Sequence, residues 1–447
     1  MMTNHPLDLA GIGIGPFNLS LAAHLDAAEG VEALFFERRA AFDWHPGMML
    51  PDVTLQTSFL KDLVSATHPS SPWTFLSFLV AKKRFYDFLN ADFGAIPRQE
   101  FAQYLAWAAQ GLPTLRFGTG IDAVDFDGRC FVLRSGTREQ RARNIALGVG
   151  LKPALPSFAA RLREDDHFHS SQARFRLGAC AGKRVAVIGG GQSGAEILLH
   201  LLNRTNEDAP SQIAWISQRP NFLPLDETPF TNELFTPPYV ESFRDLPEPR
   251  RHAIVEREKL AGDGVSSETL AAIYRRLYVL RHLESSGPEI ELLPHRDVVN
   301  AEPREGSYQL IMRNGMDGMM EIGHAEIVIL ATGYRYELPD CLAPLSSRIA
   351  VDRTGRPVPD ADFAIAWDGP DTNRIFALNA GLISHGIAEP QLSLMAWRGA
   401  VIANALLGRR QFEVEIPSAM VNWRRPVHAD PRLDTLRSNG AARLAPH

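Results

Sequence analysis

The chain predicts an α/β fold with two Rossmann-like dinucleotide-binding units and a mainly helical insertion, and three observations lead there. Two glycine-rich turns, Gly13-Ile-Gly15-Pro16-Phe-Asn18 and Gly189-Gly-Gly191-Gln192-Ser193-Gly194, each follow a short apolar run. Each also precedes a helical pattern, Leu19–Leu25 and Ala195–Leu202. A strand that turns sharply into a helix lets backbone approach a pyrophosphate while the helix N-terminus faces the negative charge, and glycine tolerates such a turn. Beyond the second unit the pattern changes to long charged helices and then returns to apolar strands, as an insertion would.

In chain order, Asp8–Ile12 reads as the first strand and Val31–Phe36 as the second, which ends in Glu37. An acid there can accept hydrogen bonds from the hydroxyls of an adenosine ribose; the alternative is a solvated strand-end charge. Asn18 stands where the usual motif has its third glycine. A loop-rich stretch from Phe42 to Lys61 carries Trp44 and His45, followed by a helical region over Trp73–Phe88 and a helix over Glu100–Ala109. Phe126–Leu133 reads as a hairpin, Asn144–Gly150 as a buried strand, and Leu155–Asp166 as a link.

The second unit begins with the strand Arg184–Ile188, and its next strand, Gln212–Ile216, leads to Ser217-Gln-Arg219 with no acid. A carboxylate would repel a ribose phosphate, whereas a hydroxyl and a guanidinium bind one, so this site predicts NADPH. The alternative for Arg219 is a surface arginine. The insertion spans 221–287, with helices over Arg250–Leu260 and Glu268–Leu283. Strands return at Glu289–Leu293, Tyr308–Met312 and Glu326–Leu330, closed by Thr332-Gly333-Tyr334. The expected organisation is an FAD-binding unit over 1–158 and an NADPH unit over 159–220, interrupted by the helical substrate-side insertion over 221–287. The NADPH unit then resumes over 288–336, the chain returns to the FAD unit and substrate site over 337–424, and 425–447 is a flexible tail.

Composition excludes several classes. With 447 residues, a formal charge of -6 and a pI near 6.2 there is no electrostatic case for nucleic acid or an anionic membrane surface. The start lacks the basic and apolar regions of a signal peptide, and no run approaches the roughly 20 apolar residues of a spanning helix, so a cytoplasmic protein is expected. Cys130, Cys180 and Cys341 form no CxxC pair, which argues against a dithiol-disulfide flavoenzyme. No metal site is expected.

Gly13 to Asn18, Trp44-His45-Pro-Gly-Met48, Leu55-Gln56, Phe59-Leu-Lys61-Asp-Leu63, Gly189 to Gly194, Ala331 to Tyr334 and His385-Gly-Ile-Ala-Glu-Pro-Gln391-Leu392-Ser393 together resemble the flavin-dependent N-hydroxylating monooxygenases of siderophore biosynthesis. The branch resembled is that of lysine N6-hydroxylases and diamine N-hydroxylases, over about residues 7–424. The resemblance implies FAD, NADPH and O2, hydroxylation of a terminal primary amine through a C4a-hydroperoxyflavin, and a homodimer or homotetramer. It implies that Gln56 lies beside the flavin, that Lys61 grips a substrate carboxylate, and that Asn232 touches the amino-acid end. At Asp263-Gly264 the chain departs from the Asn-Tyr pair of ornithine hydroxylases, which counts against ornithine.

The chemistry needs a neutral amine, so the site must desolvate an alkylammonium to lower its pKa. Lys61 at the far end favours the carboxylate of lysine. Asp263 pulls the other way, since it would suit either the α-ammonium of lysine or the free ammonium of putrescine or cadaverine. The alternatives are a solvated loop lysine for Lys61 and a helix cap for Asp263. His45 and His385 read as hydrogen-bonding residues packed near a cofactor, Phe168-His169-Ser170 as lining the NADPH pocket, and Met395 and Trp397 as core. Competing functions are Baeyer-Villiger or S-oxygenation, a non-oxygenating NADPH flavin reductase, and a non-catalytic flavin-binding protein.

Overall fold

The computed structural model describes residues 5–284, 286–415 and 419–423; the stretch expected as a tail, 425–447, lies outside them. Two sheets organise the chain. The first has parallel strands in the order Ile375–Ala377, Arg138–Leu147, Leu7–Ile12, Ala33–Phe36 and Leu115–Arg116. The antiparallel pair Ala123–Phe126 and Phe131–Ser135 extends from it beside Arg138–Leu147. The second sheet is parallel throughout, in the order Glu289–Leu293, Gln212–Ile216, Arg184–Ile188, Ile327–Leu330 and His167–His169. Strands buried on both faces read as continuous apolar runs. Leu7–Ile12 and Arg184–Ile188 do so because helices or a further sheet cover each side.

Both crossings between the sheets run side by side. Lys152–Pro153, leaving the first sheet, pairs antiparallel with Tyr334–Arg335, returning from the second. The antiparallel sheet Arg296–Arg304, Ser307–Asn314 and Met320–Ala325 packs over the second parallel sheet, with Leu310, Met312 and Val328 in one core. The segment after Trp44 is pressed into the other face. Met48 and Leu50 lie in the same cluster as Phe168, Val187 and Leu198. A Cβ on Gly47 would stand 1.7 Å from the Ser171 carbonyl oxygen, so only glycine allows that approach.

The helical region expected over Trp73–Phe88 is two helices, Phe75–Ala81 and Phe85–Ala91, broken where Lys83 takes a left-handed backbone. The first charged helix of the insertion likewise divides, into Glu248–Arg257 and Leu260–Asp263. The next, Ser267–His282, is capped by Ser266, whose hydroxyl accepts the Thr269 amide. Asp263 ends its own short helix and caps nothing, which removes that alternative for it. Met395 and Trp397 are buried in the main core, as expected.

Candidate active site

Each cradle forms because a side chain would collide with backbone. At the first, Gly13 has φ +83° and a Cβ there would lie 2.6 Å from the Gly148 carbonyl oxygen. Gly15 stands at the N-cap of the helix Pro16–Leu25, no side chain caps that end, and Pro16 opens it where its missing N–H costs nothing. At the second, a Cβ on Gly194 would lie 2.1 Å from the Gly189 carbonyl oxygen, and one on Gly190 would lie 2.2 Å from Ser217 Oγ. Gly191 is the uncapped N-cap of Gln192–Leu202. Two helix N-termini without side-chain caps suit two pyrophosphates.

Asn18, in place of the third glycine, anchors the first turn. It is fully buried, and its Nδ2 donates to the carbonyls of Gly13 at 2.7 Å, Ala146 at 3.3 Å and Ile12 at 3.4 Å. It therefore pins the turn to the neighbouring strand, while its Oδ1 is buried without a partner in the protein. Glu37 is buried; its Oε2 accepts the Ile14 amide at 3.0 Å and its Oε1 the Arg39 amide at 3.0 Å. Burial pushes its carboxyl up, but those amides and the Arg39 guanidinium outweigh it and hold the pKa below the usual range.

A cleft of about 810 Å³ lies between the units. It brings together Gly189, Gly191, Gln192 and Ser193 of the second cradle with Ser217, Arg219, Asp263, His45, Gln56 and Gln391. Thr332, Gly333 and Tyr334 form its floor; Thr332 Oγ1 donates to the Ala154 carbonyl at 2.6 Å. Arg219 Nη1 reaches the carbonyls of Asp263 at 2.9 Å and Gly190 at 3.3 Å, so its guanidinium stands at the rim of the cradle. Ser217 Oγ accepts the Arg219 amide at 3.1 Å. His169 does not line this cleft; it is buried and bonded to the Gly333 carbonyl at 3.0 Å, beneath the floor.

Sequence reasoning missed several of the cleft's polar groups. Tyr336 and Asn379 line it, and Tyr336 Oη and Asn379 Oδ1 are buried without a partner in the protein. Asn379 also holds a left-handed backbone at φ 72°, its amide donating to Glu389 Oε1 at 2.9 Å. Orphaned buried polar atoms facing a cavity fit a polar ligand such as a flavin dinucleotide, and neither residue stands in a motif that would have flagged it.

His45 opens on the cleft at φ 47°, and desolvation, with the Arg98 and Arg39 cations behind it, lowers its pKa to about 4. A neutral imidazole that weakly basic is poorly suited to general-base work near pH 7, which favours packing against a cofactor. His385 is buried, stacked on Phe363 with ring centroids 4.3 Å apart, and held well below its ordinary pKa by burial. Trp44 packs edge-on against Phe101.

Lys61, Asn232, Leu392 and Ser393 do not line the cleft. Lys61 Nζ stands 6.0 Å from the Phe235 ring, three residues beyond Asn232, which is exposed. Thr57 Oγ1 and Ser393 Oγ are 3.3 Å apart, tying the Gln56–Lys61 loop to the Gln391–Ser393 segment, with Leu392 half-buried between them. Asp62 fixes the loop: its carboxylate accepts the amides of Val64, Ser65 and Phe75. Lys61 is half-buried, desolvation lowers its pKa, and among the described residues it forms no ion pair. Asp263, by contrast, sits against the second cradle, where its side chain reaches the cleft and partial desolvation pushes its carboxyl up. A Cβ on Gly191 would stand 3.6 Å from the Asp263 carbonyl oxygen, which puts Asp263 beside the second cradle.

Two strand–turn–helix phosphate cradles, the second of them lining the cleft, fit a two-dinucleotide flavoprotein. The family model for L-lysine 6-monooxygenase/L-ornithine 5-monooxygenase matches residues 5–336, and the chain belongs to that family. It is an NADPH-dependent flavin N-monooxygenase. It is 42% identical over 421 residues to the L-lysine N6-monooxygenase of Escherichia coli, covering 94% of this chain and 98% of that one. Among solved structures it is similar to the FAD-bound cadaverine monooxygenase DfoA of Erwinia amylovora, with a TM-score of 0.89 and 31% identity over 96% of this chain and all of that one. It is also similar to the ornithine N-hydroxylase KtzI of Kutzneria sp. 744, solved with reduced FAD, NADP+ and L-ornithine, at TM-score 0.82 and 28% identity over 90% and 99% of the two chains. No described helix is long and apolar enough to cross a membrane.

Proposed function

We propose that the protein hydroxylates the terminal amine of lysine, with O2 as oxidant, on a route to a hydroxamate siderophore. The observation that carries the choice of lysine is Lys61, a half-buried cation without an anion beside it. Desolvating a charge is costly unless a counter-charge arrives, and a substrate carboxylate supplies one. Asn232, on the segment beside Lys61, is the second contact proposed for that end. Similarity to the lysine enzyme of Escherichia coli points the same way.

When bound, FAD supplies the reduced ring that activates O2, and the oxygen-transferring species is the one expected from the resemblance. The chain's own tasks are to bind, to orient and to exclude water. Gly13 and Gly15 with the Pro16–Leu25 helix end would hold the FAD pyrophosphate, and Glu37 its ribose. Gly189 to Gly194 would hold that of NADPH, with Ser217 and Arg219 at the ribose phosphate. Gln56, which lines the cleft, is the residue proposed to lie beside the flavin. The Lys61 end would hold the amino acid so that its ε-amine is drawn into the dry end of the site and loses its proton.

A short diamine, putrescine or cadaverine, is the second reading, favoured by the likeness to DfoA and by the Asp263 carboxylate facing the cleft. Comparing kcat/KM for lysine and cadaverine, which differ only by the α-carboxylate, tests the choice. Lysine is expected to win by about 100-fold, the worth of a charge-assisted contact of 2–3 kcal/mol. Equal or reversed values would transfer the assignment to the diamine. Division of the chain at about 158, 220, 287 and 336, a cytoplasmic location and a homodimer or homotetramer complete the proposal, resting on the motif order, the composition and the family resemblance respectively.

A further inference from the structure

A buried ion pair joins the two cofactor units behind the cleft. Arg98 opens the helix Arg98–Gly111 of the first unit, and Glu196 lies one turn inside Gln192–Leu202, behind the second cradle. Arg98 Nη2 donates to Glu196 Oε1 at 2.6 Å and Nη1 to Oε2 at 3.0 Å, with the two side chains 13% and 4% exposed. The same fork donates to the carbonyls of Met48 at 3.1 Å and Thr54 at 3.3 Å. One guanidinium thus closes the loop between Met48 and Thr54 and fastens it to the cradle helix. His45 and Gln56, both on the cleft wall, sit just outside the two ends of that loop.

The tie continues through Gln192. Its Nε2 donates to Glu196 Oε1 at 2.9 Å and to Thr269 Oγ1 at 3.2 Å, and its Oε1 accepts the Ser266 amide at 2.8 Å. Gln192 is the first residue of the cradle helix and lines the cleft. The flavin-side loop, the nicotinamide cradle and the N-terminus of the insertion helix Ser267–His282 are therefore held by one connected set of side chains.

We infer that Arg98, Glu196 and Gln192 are positioning residues that set the NADPH cradle in register with the flavin-side loop. A bidentate Arg–carboxylate pair is directional, which a point charge is not. A buried pair of this kind adds little net stability over an apolar replacement, so its distinctive contribution is geometric. Hydride transfer between two bound cofactors is acutely sensitive to such geometry, a misplacement of about 1 Å costing on the order of 100-fold. The inference rests on the FAD and NADPH pair and is independent of which amine is hydroxylated.

The test uses full-length, FAD-loaded Glu196→Gln and Arg98→Lys; the first is nearly isosteric and remains informative should the second fail to fold. Amide hydrogen exchange over 45–56 in the absence of NADPH is expected to rise severalfold in both. Flavin reduction at saturating NADPH is expected to slow about tenfold or more, while FAD content and reduction by dithionite, which needs no cradle, stay at parental values. Parental exchange over 45–56, or NADPH-driven reduction within about twofold of the parent, would overturn the inference. A parent enzyme that NADPH does not reduce at all would count against the assigned cofactor pair instead.

Discussion

Lys61 is half-buried and Asp263 exposed, and their surroundings differ. Lys61 has an aromatic ring near it and no anion, whereas Asp263 faces the second cradle with Lys259 and Arg219 as its nearest cations. Lys61→Met should raise the KM for lysine about 100-fold while changing kcat little, since the carboxylate is held equally in ground and transition state. Cadaverine turnover by the same variant should be unchanged or improved, and steady-state kinetics with both amines checks the pair of statements. A second residue-scale expectation concerns pH. His24 is fully buried, bonded to Ser20 O at 2.8 Å and Thr67 Oγ1 at 2.8 Å, and desolvation lowers its pKa from 6.5 to about 4. The unfolded chain then binds a proton that the folded one refuses between those values. Stability is whole above pH 6.5 and falls as the pH drops toward 4, by about 2 kcal/mol from this histidine at pH 5. Urea titrations at pH 7 and pH 5 measure that loss, and His24→Gln should lessen it.

At the scale of elements, the two strand–turn–helix cradles decide cofactor affinity separately. Gly194→Ala drives a methyl into the Gly189 carbonyl, so the Gln192–Leu202 helix must shift from its strand. The KM for NADPH should rise at least about tenfold while FAD content stays parental, because the first cradle is untouched. Asn18→Ala leaves three carbonyls at the first turn without that donor and should lower stability by about 1–3 kcal/mol, with FAD retained less well through purification. Thermal unfolding and flavin absorbance report both effects. The cradles, their strands and the acid at Glu37 were legible because a tight turn and a close approach to phosphate need local residue types at fixed spacing. The anchoring role of Asn18 was not legible because one of its hydrogen bonds runs to Ala146, on a strand 128 positions away.

At the scale of the whole molecule the same distinction holds. The return of the chain to the first sheet, through Ala364–Ile365 and Ile375–Ala377, leaves two very short strands and no motif. Tyr336 and Asn379 become site residues only because that return folds them onto the cleft. Arg98 and Glu196 are 98 positions apart, and no spacing rule announces them. The proposed substrate end rests on family resemblance; in the structure Asp263 lines the cleft and Lys61 does not. The measurement that tests the central claim most directly is hydroxylated amine formed per NADPH oxidised by the FAD-loaded protein with lysine as substrate. The account predicts a ratio near one at saturating lysine, with hydrogen peroxide as a minor product. NADPH consumed to hydrogen peroxide alone, with no hydroxylamine from lysine, putrescine or cadaverine, would contradict it.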